Sequence, residues 1–543
     1  MTLNRTLLAA AQSILLIGFL HGQVETRFTA QGSVANDEFG ASVSTAGDID
    51  GDGFDDVLVG APFDTAGGPS AGRAFVYSGR TGVTLVSVTG GPNQWLGHGV
   101  GGGADVDGDG VEDLAVGLAN ESSLTDGNGA VRVYSGATGA LVFTVLGQGF
   151  RHRLGYNVAM IGDITGDGRS EILGGAPGSA GNTTFPGRAL VIDGATGAVL
   201  FTHIGAVNGD RFGYTVSGVG DADADGTPDY VVGAIGVDFQ GSNSGRIYVY
   251  SGVTHALLFA RDGDAASHEM GHAVSRGGDL NLDGYADVFA CANYRNGTSY
   301  ARVYSGLNGA VLLQMNGAGT DGFGHGGSEA GDVNGDGFND YVVGLPSDDV
   351  FGNGAGKVII FSGATGAPIA AYYGAAAQER FGYFTAAAGD VNGDGFKDVV
   401  IGSSPSGAAG YVKVMSDCAI EAYGGGLGGT QALGFSFSPG PIDPAQGLAI
   451  AAGAQPYAPG VIGASALAAS PVTTLYDVAV LVDVATAVVV VFYYDAFGQA
   501  AFPLNLRQPA IDGASLFAQA FALDPSVPGG VIASPGLRML FCQ

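Results

Sequence analysis

The residues best placed to do chemistry sit in one recurring stretch. Asp48-Ile49-Asp50-Gly51-Asp52-Gly53-Phe54-Asp55-Asp56 has the form D-x-D-x-D-G-x-x-D. It returns six more times, starting at Asp105, Asp163, Asp221, Asp279, Asp332 and Asp390. The intervals are 57 or 58 residues, except for 53 between Asp279 and Asp332. Positions 1, 3 and 5 place three side-chain oxygens on one side of a tight turn, and position 9 brings back an acid. Three copies hold four Asp each: Asp48, Asp50, Asp52 and Asp56; Asp105, Asp107, Asp109 and Asp113; Asp221, Asp223, Asp225 and Asp229. The third copy reads Asp163, Thr165, Asp167 and Glu171. The last three carry Asn at position 3: Asp279, Asn281, Asp283 and Asp287; Asp332, Asn334, Asp336 and Asp340; Asp390, Asn392, Asp394 and Asp398.

Such a set of oxygens suits a hard cation. Position 6 is Gly in every copy, from Gly53 to Gly395. A sharp turn there needs a positive φ, which Gly adopts freely. Position 7 varies (Phe54, Val111, Arg169, Thr227), as expected of a residue that offers only its backbone carbonyl. An oxygen-rich, flexible cage of this kind prefers Ca²⁺ to Mg²⁺. The lack of His or Cys among the ligands argues against zinc and copper. The plainer reading is a set of empty Asx turns. Clustered carboxylates without a cation repel one another, which favours up to seven Ca²⁺ ions. A catalytic ion would need one unusual site with open coordination, so repeated, equivalent ions read as structural. Thr165 is a weak ligand and Glu171 changes the reach, so the third loop is expected to bind least well.

These loops explain much of the charge. The chain has 51 acids and 21 bases, a formal net charge of −30. Twenty-four of the 51 acids occupy the ligand positions above. Seven divalent ions would bring −30 to about −16. The acidic balance argues against nucleic acid or anionic lipid as partner.

The elements that position the loops repeat with them. In the first unit Phe39-Gly40 opens a strand that ends at Gly47, and the acidic loop follows. Val57 to Ala61 is a buried strand stopped by Pro62. Arg73 to Tyr77 is a third strand, Ser78-Gly79-Arg80-Thr81-Gly82 a tight turn, and Val83 to Val88 the return strand. The Phe-Gly position recurs as Leu96-Gly97, Leu154-Gly155, Phe212-Gly213, Met270-Gly271, Phe323-Gly324 and Phe381-Gly382. Four short strands per unit, seven times over, predict an all-β, seven-bladed β-propeller. Gly at 98 of 543 residues with 46% hydrophobic content fits turn-rich β structure. The seventh unit stops after its third strand, Tyr411 to Met415. The strand near Val24–Ala30 should therefore complete that blade and close the ring, leaving no exposed edge.

The Phe-Gly and Gly-Ala-Pro unit with an embedded acidic loop resembles the FG-GAP repeats of the integrin α-subunit head propeller. The resemblance covers residues 24 to about 417. It implies a calcium-binding extracellular propeller. The second and third loops are 58 residues apart, so no inserted ligand-binding domain is expected between those blades. Neither leg domains nor a membrane span nor a basic cytoplasmic tail is expected. All seven units carry a loop, whereas integrins carry them in only some. The chain is more similar to a secreted bacterial-type FG-GAP protein than to a receptor subunit.

The flanks read differently. Residues 1–22 look like a signal peptide: Arg5 is a positive start, Leu7 to Leu20 is apolar, and His21-Gly22-Gln23 turns polar. That apolar run is shorter than the roughly 20 residues of a span. Residues 23–417 form the propeller and 418–543 a small C-terminal β-sandwich-like domain, with strands expected at Val478–Val482, Val488–Tyr493, Leu516–Leu523 and Leu537–Phe541. Cys418 and Cys542 bracket this domain, and whether they form a disulfide is open.

Other motifs carry less. His268-Glu269-Met270-Gly271-His272 matches the H-E-x-x-H zinc pattern, but the repeat places it on a strand entry rather than a helix. Gly68-Pro69-Ser70-Ala71-Gly72 lacks the strand-elbow-helix setting of a nucleophile. His98, His152, His203, His255 and His325 are expected on blade loops without a regular Asp or Ser partner, and Trp95 in core or rim packing. No catalytic constellation stands out. The expected function is that of a secreted or cell-surface, monomeric binding or adhesion module for an extracellular protein or glycan, with no membrane span after signal cleavage. A propeller hydrolase or lyase and a purely structural envelope protein are the alternatives.

Overall fold

The computed structural model describes residues 25–416, apart from 123–125, 180–183, 294–298, 318–320, 394 and 406, together with ten short strands of the tail. The leader, Asp394, Cys418 and Cys542 lie outside the described residues. Among the described residues every regular element is a strand, and no helix is long and apolar enough to cross a membrane.

Seven antiparallel four-stranded sheets form the propeller, Glu25–Asp417. The first blade runs Ser42–Gly47, Asp56–Ala61, Arg73–Tyr77 and Thr84–Thr89 in spatial order. The innermost strands start at Ser42, Leu96, Asn157, Phe212, Met270, Gly327 and Phe381. Each packs beside the next, and Phe381–Gly389 packs on Ser42–Gly47 to close the circle. The second strand of every blade is buried on both faces, which is why it reads as a short continuous apolar run.

The seam is closed as the sequence predicts. Glu25–Gln31 adds antiparallel to Tyr411–Ser416 as the outermost strand of the seventh blade, with Glu25 opposite Ser416 and Gln31 opposite Tyr411. The first and last strands of the propeller thus share one sheet, and its ladder hydrogen bonds would be lost if either were removed.

The Phe-Gly motif is the joint between blades. Phe39, Leu96, Leu154, Phe212, Met270, Phe323 and Phe381 are all buried. The Gly after each lies against the second strand of the preceding blade. A Cβ at Gly402 would sit 2.2 Å from the Gly40 carbonyl oxygen, and one at Gly117 1.9 Å from that of Gly155. Backbones therefore touch where two side chains would not fit. The fifth blade departs from this pattern, since Cys291 stands at the Gly position, where a Cβ at Gly324 would lie 3.0 Å from its Cβ.

The tail forms small separate sheets. Ile420–Tyr423, Gly536–Leu540 and Ser515–Ala518 make one, and Ala464–Leu467, Leu475–Val480 and Val490–Tyr493 another. Phe435–Phe437 pairs in parallel with Ala500–Phe502, and Phe521–Leu523 pairs with Val531–Ala533. The expected strands near 478, 490, 516 and 537 are present, and the expected strand over 516–523 divides into two.

The seam joint makes a prediction. Gly402→Ala should destabilise the propeller by about 1–3 kcal/mol or more, because the new methyl has only backbone to displace. Thermal denaturation beside the Cys291→Gly protein checks this; a Gly402→Ala melt equal to that of the parent would show that the seam is loose.

Candidate metal centres

Each acidic loop begins where an inner strand ends, and a β-bulge aims it. The register between the first two strands shifts just before the loop in every blade, for example between Thr45 and Gly47 and between Gly218 and Gly220. A bulge bends the strand and adds one residue on its side. Within the loop the position-6 glycines take φ of 87° to 91°, as the turn requires. Position 4 is also left-handed, at Gly in five loops and even at Ala224 (φ 60°) and Leu282 (φ 57°).

The carboxylates converge. Asp48, Asp50 and Asp56 bring one oxygen each within 4.8 Å of one another. So do Asp105, Asp107 and Asp113; Asp163, Asp167 and Glu171; and Asp221, Asp223 and Asp225. The other three loops carry Asn281, Asn334 and Asn392 at position 3, so they have fewer carboxylates to bring together. In the first loop Asp48 accepts hydrogen bonds from Asp52 N (2.9 Å) and Gly53 N (2.8 Å), and Asp52 accepts one from Phe54 N (3.1 Å). Asp105, Asp163, Asp221, Asp279, Asp332 and Asp390 accept the same bond from the position-6 Gly at 2.8–2.9 Å. The loop is thus pre-shaped by its own Asx turns. Three to four oxygen donors, with no nitrogen or sulfur among them, fit a hard divalent cation.

Position 9 does more than present a ligand. Asp56 is fully buried; its Oδ2 accepts from Ile49 N (2.9 Å) and its Oδ1 from Gly79 N (3.0 Å). Gly79 belongs to the turn between the third and fourth strands. Asp113 takes Val106 N and Gly136 N, Asp229 takes Ala222 N and Gly252 N, Asp287 takes Leu280 N and Gly306 N, and Asp340 takes Val333 N and Gly363 N. One carboxylate therefore ties the loop to the neighbouring turn of its blade. In Asp113 and Asp229 the Oδ2 takes a second N–H, from Asp107 and Asp223, while the Oδ1 keeps a lone pair for a cation. Glu171 is the variant: it accepts from Ile164 N (2.7 Å) and from the Thr165 hydroxyl (3.1 Å), so the longer side chain and the weaker ligand are bonded to each other.

Burial is the largest influence on these acids. It pushes Asp56 and Asp340 up to about 7, and Asp229 and Asp287 up to about 6, against the lowering pull of the backbone N–H groups. Asp113 and Glu171 are raised for the same reason.

The loops also meet across blades. Asp55 N donates to Asp390 O (3.0 Å) and Asp390 N to Asp55 Oδ2 (2.8 Å), linking the seventh blade to the first. Ala286 N donates to Asp221 O (2.8 Å) between the fourth and fifth blades.

The opposite ends of the inner strands hold other side chains. The residue after each Phe-Gly pair is Ala41, His98, Tyr156, Tyr214, His272, His325 and Tyr383. Six of these form a chain of neighbouring rings around the centre. Centroid distances are 4.3 Å for His98 and Tyr156, 5.3 Å for Tyr156 and Tyr214, 5.3 Å for Tyr214 and His272, 4.7 Å for His272 and His325, and 4.1 Å for His325 and Tyr383. His98 Nδ1 pairs with Tyr156 O (2.8 Å), His272 Nδ1 with His325 O and His325 Nδ1 with Tyr383 O (both 3.0 Å). Burial lowers His98 to about 4, so it is neutral.

The expected loop placement of two histidines needs correction, while Trp95 and the H-E-x-x-H stretch lie as expected. His98 lies in the strand Leu96–Ala104 and His203 in Val199–Ile204, not on loops. Trp95 is half-buried on the rim, edge-on to Phe63 at 5.3 Å. The H-E-x-x-H stretch enters the strand Met270–Gly278, with His268 against Tyr300 and His272 in the central ring. Among the described residues no cluster of three potential metal ligands includes a histidine.

Comparison with known proteins agrees with this geometry. Residues 39–77 and 381–415 match the FG-GAP repeat family model; these segments hold the loops at Asp48 and Asp390. The chain is 34% identical to integrin alpha-PS3 of Drosophila melanogaster over 155 residues, which is 26% of this chain and 14% of that protein. It is 30% identical to integrin alpha-5 of Xenopus laevis over 217 residues, 35% of this chain and 20% of that protein. The matched regions thus span a fifth or less of these relatives.

Two predictions separate the roles within a loop. Asp56→Asn should lower stability by about 1–3 kcal/mol with or without calcium, because an amide turns an N–H toward an N–H donor. Asp50→Asn keeps its acceptor and should matter only when a cation is present; denaturation of both variants in each condition distinguishes them. A second test uses pH. In the cation-free protein, Asp56, Asp229, Asp287 and Asp340 hold protons up to about 6 or 7, after the unfolded chain has released its own near pH 4. Stability should therefore fall as pH rises from about 4 through 7, and saturating calcium, which favours the ionised form, should abolish the fall. Urea denaturation across that range reads it out.

Proposed function

We propose that this chain of FG-GAP repeats is an exported, calcium-stabilised binding module. In this reading its cations are structural and its recognition lies at the opposite face. One observation carries it: the same oxygen-donor loop stands at the same end of the inner strand in all seven blades. The ions would be held by positions 1, 3, 5 and 9 of each loop, from Asp48, Asp50, Asp52 and Asp56 to Asp390, Asn392, Asp394 and Asp398. Their chemistry is to neutralise converging carboxylates and so fix each inner strand to the turns of its own blade. Because all seven loops spend their donors alike, none is singled out for catalysis.

Adhesion to an extracellular protein or glycan follows from the likeness to integrin alpha chains and rests on that analogy. Export rests on the leader-like residues 1–22. A hydrolase or lyase would need acids and bases converging on one substrate-sized site. The aromatic centre, with its neutral His98, does not favour that reading.

The test is cation removal. A ligand at one hundred times its Kd adds about 2.7 kcal/mol per site, so removal from several loops should lower the melting temperature by roughly 10 °C or more. A melt unaffected by EDTA would sink the structural role. In calorimetric titration the third loop should fill last, and Thr165→Asp should bring it into line with its neighbours. A glycan and protein array with and without Ca²⁺ tests the binding role.

A further inference from the structure

The rim of the face opposite the acidic loops holds an unusual pair of charges. The residue before each Phe-Gly pair is, in blade order, Glu38, Trp95, Arg153, Arg211, Glu269, Gly322 and Arg380, and all seven take a positive φ between 48° and 78°. The same left-handed conformation recurs at one level of the ring at residues as different as Glu, Trp, Arg and Gly. Glu38 has the charge of Arg380 nearby. Arg153 and Arg211 occupy equivalent places on the third and fourth blades, and burial first, then the charges of Arg151 and Arg211, loosen Arg153's hold on its proton.

Neither arginine meets a carboxylate within 4.0 Å among the described residues, although the chain carries 51 acids. Both are only half exposed. Arg211 Nε is buried with no hydrogen-bond partner. Each guanidinium lies instead over an aromatic face: Arg153 Cζ is 5.0 Å from the Trp95 ring centre and Arg211 Cζ 4.8 Å from that of Tyr214. Tyr156 lies between them, 5.3 Å from Tyr214, and burial pushes the Tyr214 hydroxyl up, so it stays a donor. Two adjacent cations without a counter-charge, in a protein this acidic, cost free energy that a bound anion would return.

We propose that Arg153 and Arg211, with Trp95, Tyr156 and Tyr214, form a binding site for a carboxylated glycan, a chain containing uronic acid. This deepens the reading of the protein as a binding module and rests on it. A guanidinium fork pairs with a carboxylate through two parallel hydrogen bonds, and two forks one blade apart suit acids on successive sugars. The half-buried rings beside the guanidiniums offer apolar surface to pyranose rings. The half-buried residues of the site are aromatic and cationic, which favours a sugar over an acidic peptide.

Trp95 is the only tryptophan in the chain, so its emission reports on this site alone. The full protein with Ca²⁺ is titrated with galacturonic acid oligomers, with their methyl esters and with poly-glutamate. The expected result is a saturable change in Trp95 emission with the free acids and none with the esters. Arg153→Gln and Arg211→Gln should each weaken binding roughly tenfold or more. Arg153→Lys and Arg211→Lys should lose less. Unchanged melting temperatures would show that the variants fold. Binding of the esters as tightly as the acids would overturn the proposal. So would binding that survives Arg153→Gln/Arg211→Gln but is lost in EDTA, since uronates would then be held by the calcium loops. Preference for poly-glutamate would also overturn it, while leaving the module reading intact. An array that finds a protein or neutral glycan partner, with no uronate response, has the same effect. Silence in both assays would count against both.

Discussion

One buried carboxylate per blade governs this structure. Asp56 and its counterparts Asp113, Asp229, Asp287 and Asp340 lie beneath the acidic loop, and both oxygens of each are committed to backbone N–H groups. An ionised carboxylate so far from water is costly unless it is fully satisfied. The backbone donors supply part of that satisfaction, and a cation gathered by positions 1, 3 and 5 would supply the rest. The same group links the loop after the first strand to the turn after the third. Neutralisation of the loop and alignment of the blade are therefore one event, repeated around the ring.

The inner strand separates two kinds of constraint. At its loop end the sequence is held by donor chemistry and left-handed backbone, so the residue types hardly change from blade to blade. At its Phe-Gly end the backbone is equally fixed, by a buried anchor and by contact between glycines of adjacent blades. There the side chain before the anchor is free to vary, and it does: Glu38, Trp95, Arg153 and Arg211 occupy equivalent places. A scaffold that fixes backbone while freeing side chains is suited to recognition. The connectors that enter this face add to it, as Phe63 does against Trp95.

Much of this was legible in the sequence because it was repeated. The seven loops announced themselves by spacing, and the unpaired third strand at Tyr411–Met415 called for a partner that Glu25–Gln31 supplies. What could not be read was double use of a residue. An Asp that ligates a cation and an Asp that accepts backbone N–H look alike, so the cross-link made by Asp56 to Gly79 had no signature. The common place of the central histidines was hidden for a related reason. His98 and His325 looked irregular along the chain, yet they share one ring position with Tyr156, Tyr214 and Tyr383. Only closure of the circle brings those positions together.

The exceptions to the repeat locate where the rules come from. Cys291 replaces the joint glycine in the fifth blade, and the interval to the next loop is there shortest, 53 residues against 57 or 58 elsewhere. In the other six blades a Cβ at the joint would meet the carbonyl oxygen of the next blade's glycine at 1.9–2.3 Å. The glycine rule is thus a consequence of carbonyl approach and not of the repeat itself. Glu171 shows the same thing at the loop end: with Thr165 at position 3, the longer acid folds back onto the hydroxyl, and the blade keeps its shape with a weaker cage. The joint between blades is therefore set by backbone contacts, and ligand quality is the quantity left free to differ among the seven loops.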